Sequence, residues 1–129
     1  MAIKKYIAKK DNTITNAFGV DLSTRATGSN MGAADILEVF SIYGLQTTSS
    51  AELSRALIEF PIDNISSDRA SGDIPDPGSV NFYLRVFNAR HSEQLPVNFT
   101  VNVFAISSSW QEGFGLDMET YSDKTKDNI

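Results

Sequence analysis

Glu112, Asp117, Glu119 and Asp123 fall close together in the stretch SSSWQEGFGLDMETYSD (107–123), which also holds the single tryptophan, Trp110. Paired carboxylates flanking a sugar bond are the machinery of glycoside hydrolysis. The same oxygens could hold calcium, a hard cation that takes six to eight oxygen ligands. A calcium site here would use Asp117, Glu119 and Asp123, but DMETYSD has neither the spacing nor the glycine of a calcium-binding loop. A solvated acidic turn is therefore the expectation, with no metal and no cofactor. DIPDPGS, with Asp73 and Asp76, is a second oxygen-rich loop of the same kind. His91 is the only histidine and sits in a polar turn, so any nucleophile–histidine pair would have to use it. No serine lies in a G-x-S-x-G elbow, and GSNMG (28–32) lacks the G-K-[ST] of a phosphate-binding loop. NFT (98–100) and NIS (64–66) match the glycosylation sequon, a short pattern that carries little without a secretory leader. No catalytic residues are assigned, and the chain is not read as an enzyme.

Composition bounds the remaining possibilities. The chain has 129 residues, 41% hydrophobic and 21% charged, which suits one globular domain. There is no cysteine, so neither a disulfide framework nor a thiolate metal site can form. No apolar run is long enough for a membrane span, and MAIKKYIAKKDN lacks the apolar core of a signal peptide. The net charge is −5, while Lys4, Lys5, Lys9 and Lys10 place +4 in the first ten residues, leaving −9 on the rest. An acidic body disfavours nucleic acid, whose phosphates need cations. The basic segment reads as a solvated arm, able to reach an acidic neighbour.

The elements that must position these residues read as strands. In PVNFTVNVFAI (96–106), Val97, Phe99, Val101, Val103 and Ala105 alternate with Asn98, Thr100 and Asn102. In SVNFYLRVFNAR (79–90), Val80, Phe82, Leu84 and Val86 share a face, with Tyr83, Arg85 and Phe87 opposite. A polar connection, HSEQL, suits an antiparallel pair. DILEVFSIYG (35–44) is apolar on both faces. AELSRALIEFPI (51–62) fits a helix and a strand equally well until Pro61, which ends either. STRATGSNMGAAD (23–35) and DNISSDRASGDIPDPGS (63–79) read as loops, and no helix longer than two turns is evident. The expectation is an all-β protein. Phe99, Val101 and Val103 are expected to close its core beneath Trp110, with Gly113 and Gly115 turning the backbone away.

The order SRALIEFPI, VNFYLRVFNAR, VNVFAISSSWQEG resembles the DNRLRE-type β-sandwich domains. Their strand of S-R-A-L-[LI]-x-F type matches Ser54 to Phe60, and their W-x-E-G ending matches Trp110 to Gly113. The resemblance covers roughly residues 12–115 and implies an antiparallel, jelly-roll-like sandwich similar to carbohydrate-binding modules, with 51–62 as a strand. It implies no contact residues for a glycan. TRATGSNMGAADILEVFSIYG together with SSSWQEGFGLDMETYSD is similar to virion structural proteins of tailed marine bacteriophages. That likeness implies a non-enzymatic virion component, a capsid decoration or tail-associated protein. The alternative is a glycan-binding adhesion module of a tail fibre or surface protein. The expected layout is a basic arm (1–11), a sandwich (12–115) and an acidic extension (116–129). The family continues past W-x-E-G with further strands, so the sandwich is expected to be completed by a partner. The expected partners are other virion proteins and copies of the chain itself, as a homotrimer or another symmetric assembly.

Overall fold

The computed structural model describes residues 3–16, 18, 24–25, 31–43, 51–75, 78–90 and 98–116. Three strands, β1 (Lys10–Thr15), β2 (Ser41–Tyr43) and β3 (Ala51–Glu59), form one antiparallel sheet in the order β1-β3-β2. A helix, α1 (Ile62–Ala70), follows β3 directly. The rest of the described chain is mostly coil, and the expectation of a β-rich antiparallel chain holds at this coarse level.

The segment 51–62 resolves as a strand up to Glu59. Pro61 then opens α1, accepting from the amides of Asn64 and Ile65. A proline suits this place because its missing N–H would be unpaired at a helix start anyway. Asp63 lies in the first turn and Arg69 in the last, each at the end of the helix dipole that favours its charge. The loop expected over 63–79 is therefore a helix in its first half. No residue of α1 is buried, so there was no apolar stripe to betray it.

β1 begins at Lys10, inside the segment expected to be an arm. Its register runs from Lys10 opposite Glu59 to Thr15 opposite Ser54. β2 is short: of the strand expected over 35–44, only Ser41–Tyr43 joins the ladder, opposite Ala51 to Leu53.

The sheet buries polar groups. Asn12, Thr13, Glu52 and Ser54 are buried, while the buried apolar side chains among the described residues are Phe18, Met31 and Ile74. Buried polar groups are costly unless bonded, and each of these four is. The Thr13 hydroxyl accepts from the Glu38 amide at 2.9 Å. The Ser54 hydroxyl accepts from the Phe40 amide at 2.7 Å and donates to the Glu38 carbonyl at 2.9 Å. Two hydroxyls, with the backbone bond from the Ser54 amide to the Phe40 carbonyl at 3.0 Å, thus hold segment 38–40 against the sheet. The Glu52 carboxylate accepts from the Phe18 amide at 3.1 Å. Phe18 is bridged to Arg25, whose guanidinium stacks on the Phe18 ring at 3.7 Å.

Candidate interaction surface

The two runs with the clearest alternation, 80–90 and 98–106, belong to no strand. None of the backbone hydrogen bonds between described residues outside the named elements involves them. Phe99, Val101 and Val103, expected to close the core, are 68%, 54% and 75% exposed. Phe82, Leu84 and Val86, expected to face them, are exposed as well. The reason is physical: among the described residues no strand or helix supplies an apolar face to lie against them. The opposite sides of the runs mix Asn81, Arg85, Asn98, Thr100 and Asn102 with Tyr83, Phe87, Phe104 and Ile106, which are also exposed. The charge on the first run is Arg85 and Arg90; residues 98–109 carry none. The Arg85 guanidinium lies 4.7 Å from the Phe87 ring. The surface is thus a broad, nearly neutral array of aliphatic and aromatic side chains.

The end of the second run is anchored firmly. Trp110 is half-buried, with the Lys10 ammonium 5.7 Å from its ring. It packs beside β1 and does not close a core over Phe99, Val101 and Val103. Glu112, one of the four clustered carboxylates, is structural. Its Oε1 accepts from the Asp11 amide at 2.9 Å. In the ladder, Asn16 donates to the Leu53 carbonyl, so the alternation turns the Asp11 amide away from β3 and towards Glu112. The Glu112 carbonyl accepts from Asn12 Nδ2 at 2.7 Å, and Asn12 Oδ1 accepts from the Met31 amide at 3.3 Å. Ala33 donates to the Gly115 carbonyl at 2.9 Å. Gly113, at φ 78°, makes the turn that sequence expects of it. The corner W-Q-E-G-F-G is thereby pinned both to the first strand and to segment 31–33.

The basic segment folds back on its own chain. Lys4 Nζ lies 2.6 Å from Asp68 and 3.0 Å from Asp73, and the Tyr6 hydroxyl donates to Asp68 at 2.5 Å. Lys10 pairs with Glu59 at 3.0 Å, and Lys9 approaches the same carboxylate at 3.9 Å. The expected solvated arm is a strap along α1. Hydrogen bonds from Lys4 and then Tyr6 hold the Asp68 carboxyl below its ordinary value of 3.8. Bonding to Asp68 and then Asp73 raises Lys4 above 10.5. Partial burial, then the bond to Asp68, raises Tyr6 above 10.0.

These shifts fix where the strap holds. A lowered acid contributes stability above its unfolded value and loses it as pH falls through the folded value. The raised Lys4 and Tyr6 contribute below 10.5 and 10.0 and lose their contribution as pH rises through their folded values. Protection of the residue 3–9 amides, taken relative to an unstructured chain at the same pH, should therefore be greatest near neutrality and fall as pH drops below 3.8 or rises above 10.0. Asp68→Asn should show the reduced protection at neutral pH. Unchanged protection in that variant would mean the strap is held by something else.

Other residues singled out from sequence are scattered. Asp73 serves Lys4, and Asn64 and Asn98 are exposed. His91, Asp76, Gly28, Asp117, Glu119 and Asp123 lie outside the described residues. Among the described residues no three His, Asp or Glu side chains converge, and no helix is long and apolar enough to cross a membrane. A shallow cleft of about 440 Å³, lined by Lys9, Glu59 and residues 60–64, lies at the β3–α1 junction and includes none of the carboxylates singled out. Sequence reasoning missed Asn12, Thr13, Glu52 and Ser54, because buried polar residues carry no periodic signal. No family model, curated protein or solved structure matches the chain.

Proposed function

We propose that this chain is a non-enzymatic structural component of a bacteriophage virion, a capsid decoration or tail-associated protein acting through protein–protein contacts. In this reading its antiparallel sheet is part of a jelly-roll-like sandwich that a partner completes. The observation that carries the protein-contact part is the exposed apolar side chains of residues 82–87 and 99–106. A soluble chain rarely exposes a contiguous apolar patch beyond a few hundred Å², and such patches mark interaction sites. The virion part rests on the likeness of TRATGSNMGAADILEVFSIYG and SSSWQEGFGLDMETYSD to phage structural proteins.

The test is peptide mass spectrometry of phage particles purified from a host culture in which the chain is encoded by the infecting genome. Peptides of this chain should rise with particle purity, in fixed ratio to the major capsid protein. A chain that stays in the lysate supernatant would overturn the proposal.

A further inference from the structure

We infer that α1 is a conditional helix, ordered by the strap of residues 3–9, so that strap and helix open and close as one switch. Taken alone, α1 is a poor helix. It spans nine residues, IDNISSDRA, below the length of about 12–15 at which an isolated helix becomes even marginal in water. All but Arg69 and Ala70 are Ile, Asp, Asn or Ser, which rank below the strong helix formers. No side chain caps its N-terminus. Helices in proteins draw most of their stability from a packed apolar face. Here no residue of α1 is buried, and α1 lies against none of the three strands.

What α1 has is the strap. Ile65, Asp68 and Arg69 are its half-buried residues, and their spacing of three and four puts them on one face. On that face the Asp68 carboxylate takes both the Lys4 ammonium, at 2.6 Å, and the Tyr6 hydroxyl, at 2.5 Å. Lys4 also reaches Asp73 at 3.0 Å, beyond the C-terminal end of α1. One ammonium thus bridges the last turn to the segment that follows it. That segment closes on the same residue: the Ile74 amide donates to the Asp68 carbonyl at 3.1 Å, and the Ser71 hydroxyl does so at 3.0 Å. Ile74 is buried, so the apolar burial that α1 lacks lies just past its end, next to the Asp73 that Lys4 holds. The strap is fixed at its other end, where the Lys9 amide donates to the Glu59 carbonyl at 2.7 Å and Lys10 starts β1. The sheet therefore delivers the clasp to a set place. Lys4 and Asp68 keep part of their side chains in solvent, which leaves the clasp weak enough to open reversibly. Once it opens, α1 has neither packing nor length and melts. The coupling is reciprocal: melting α1 separates Asp68 from Asp73 and frees the strap.

Backbone amide exchange on the full chain at neutral pH tests this, with the paired substitution Lys4→Ala and Tyr6→Phe. Neither residue belongs to α1, so the helix keeps its own sequence and propensity. The amides of Ser66 to Ala70, bonded within α1, should lose at least about tenfold of their protection, as in a local opening. The amides of Arg55 and Leu57, which face β1 in the ladder, should keep theirs. Lys4→Arg retains a cation for both carboxylates and should retain the protection of α1. Should the paired variant lose protection in β3 as well, Tyr6→Phe alone makes the milder comparison, with a loss of at least about twofold confined to α1. Unchanged protection of Ser66 to Ala70 in the paired variant would mean that the helix stands without the strap, and would overturn the inference. An equal loss in α1 and β3 in Tyr6→Phe would overturn it too, because the helix would then open only with the whole chain.

Discussion

Asn12→Ala is expected to lower the unfolding free energy by roughly 2–6 kcal/mol, the sum of leaving two buried backbone groups poorly bonded at about 1–3 kcal/mol each. Asn12 is 3% exposed, and its amide bonds both the Glu112 carbonyl and the Met31 amide. Urea unfolding followed by tryptophan fluorescence reads the effect, since Trp110 stands two residues from Glu112. It must be done at one protein concentration, because the stability of an associating chain depends on it. Asn12→Asp sharpens the test. It keeps the acceptor for Met31 and replaces the donor to Glu112 with a carboxylate. The introduced group is buried beside the Glu112 side chain, so its pKa rises on folding. The deficit should then shrink as pH falls towards the unfolded carboxylate range of about 4, where the protonated acid can donate again. A loss below about 0.5 kcal/mol for Asn12→Ala, the range of ordinary surface changes, would show that the node carries no stability.

Gly32→Ala is the second large effect, on the order of 1–3 kcal/mol, the usual cost of forcing atoms into filled space. A methyl group at Gly32 would overlap the Glu112 carbonyl and come within 2.9 Å of the Gly113 carbonyl. Both obstacles are main chain, so no side-chain rotation relieves them. Segment 31–33 must move away, and that strains the bonds from Met31 to Asn12 and from Ala33 to Gly115. Because the two substitutions damage one node, the loss in the Gly32→Ala, Asn12→Ala double variant should fall short of the sum of the single losses. Strict additivity in urea unfolding would mean the two sites are independent and the node does not act as a unit.

The sequence was most legible where its signal was apolar. Strand β3 follows from the resemblance over Ser54 to Phe60, and Pro61 marks its limit correctly. β1 was invisible because KDNTIT offers one apolar residue, Ile14, and the positions it buries are Asn12 and Thr13. Helix α1 was hidden for a related reason: it rests on its end charges, Pro61 and the strap, with no stripe to count. The alternation in 79–90 and 96–106 is the strongest pattern in the chain, yet residues 79–90 and 98–106 lie outside the sheet. Periodicity reports that a face suits burial; it does not say which molecule does the burying. The carboxylates of 112–123 illustrate the same limit in polar form. Glu112 proves to be a cap for the Asp11 amide, a role set by a contact that no local spacing encodes.

That cap also dictates an order of events during synthesis. Asn12 and Glu112 stand 100 positions apart. Closing a loop of that length costs about 4 kcal/mol of chain entropy on the (3/2)RT ln n scale. The outward amide of Asp11 and the buried amide of Asn12 cannot be satisfied until residue 112 has left the ribosome. The emerging chain thus carries an unfinished first strand for most of its translation. Nascent chains stalled before Glu112 should expose β1 to chaperones and proteases, and those that carry Glu112 clear of the ribosome on an added linker should not.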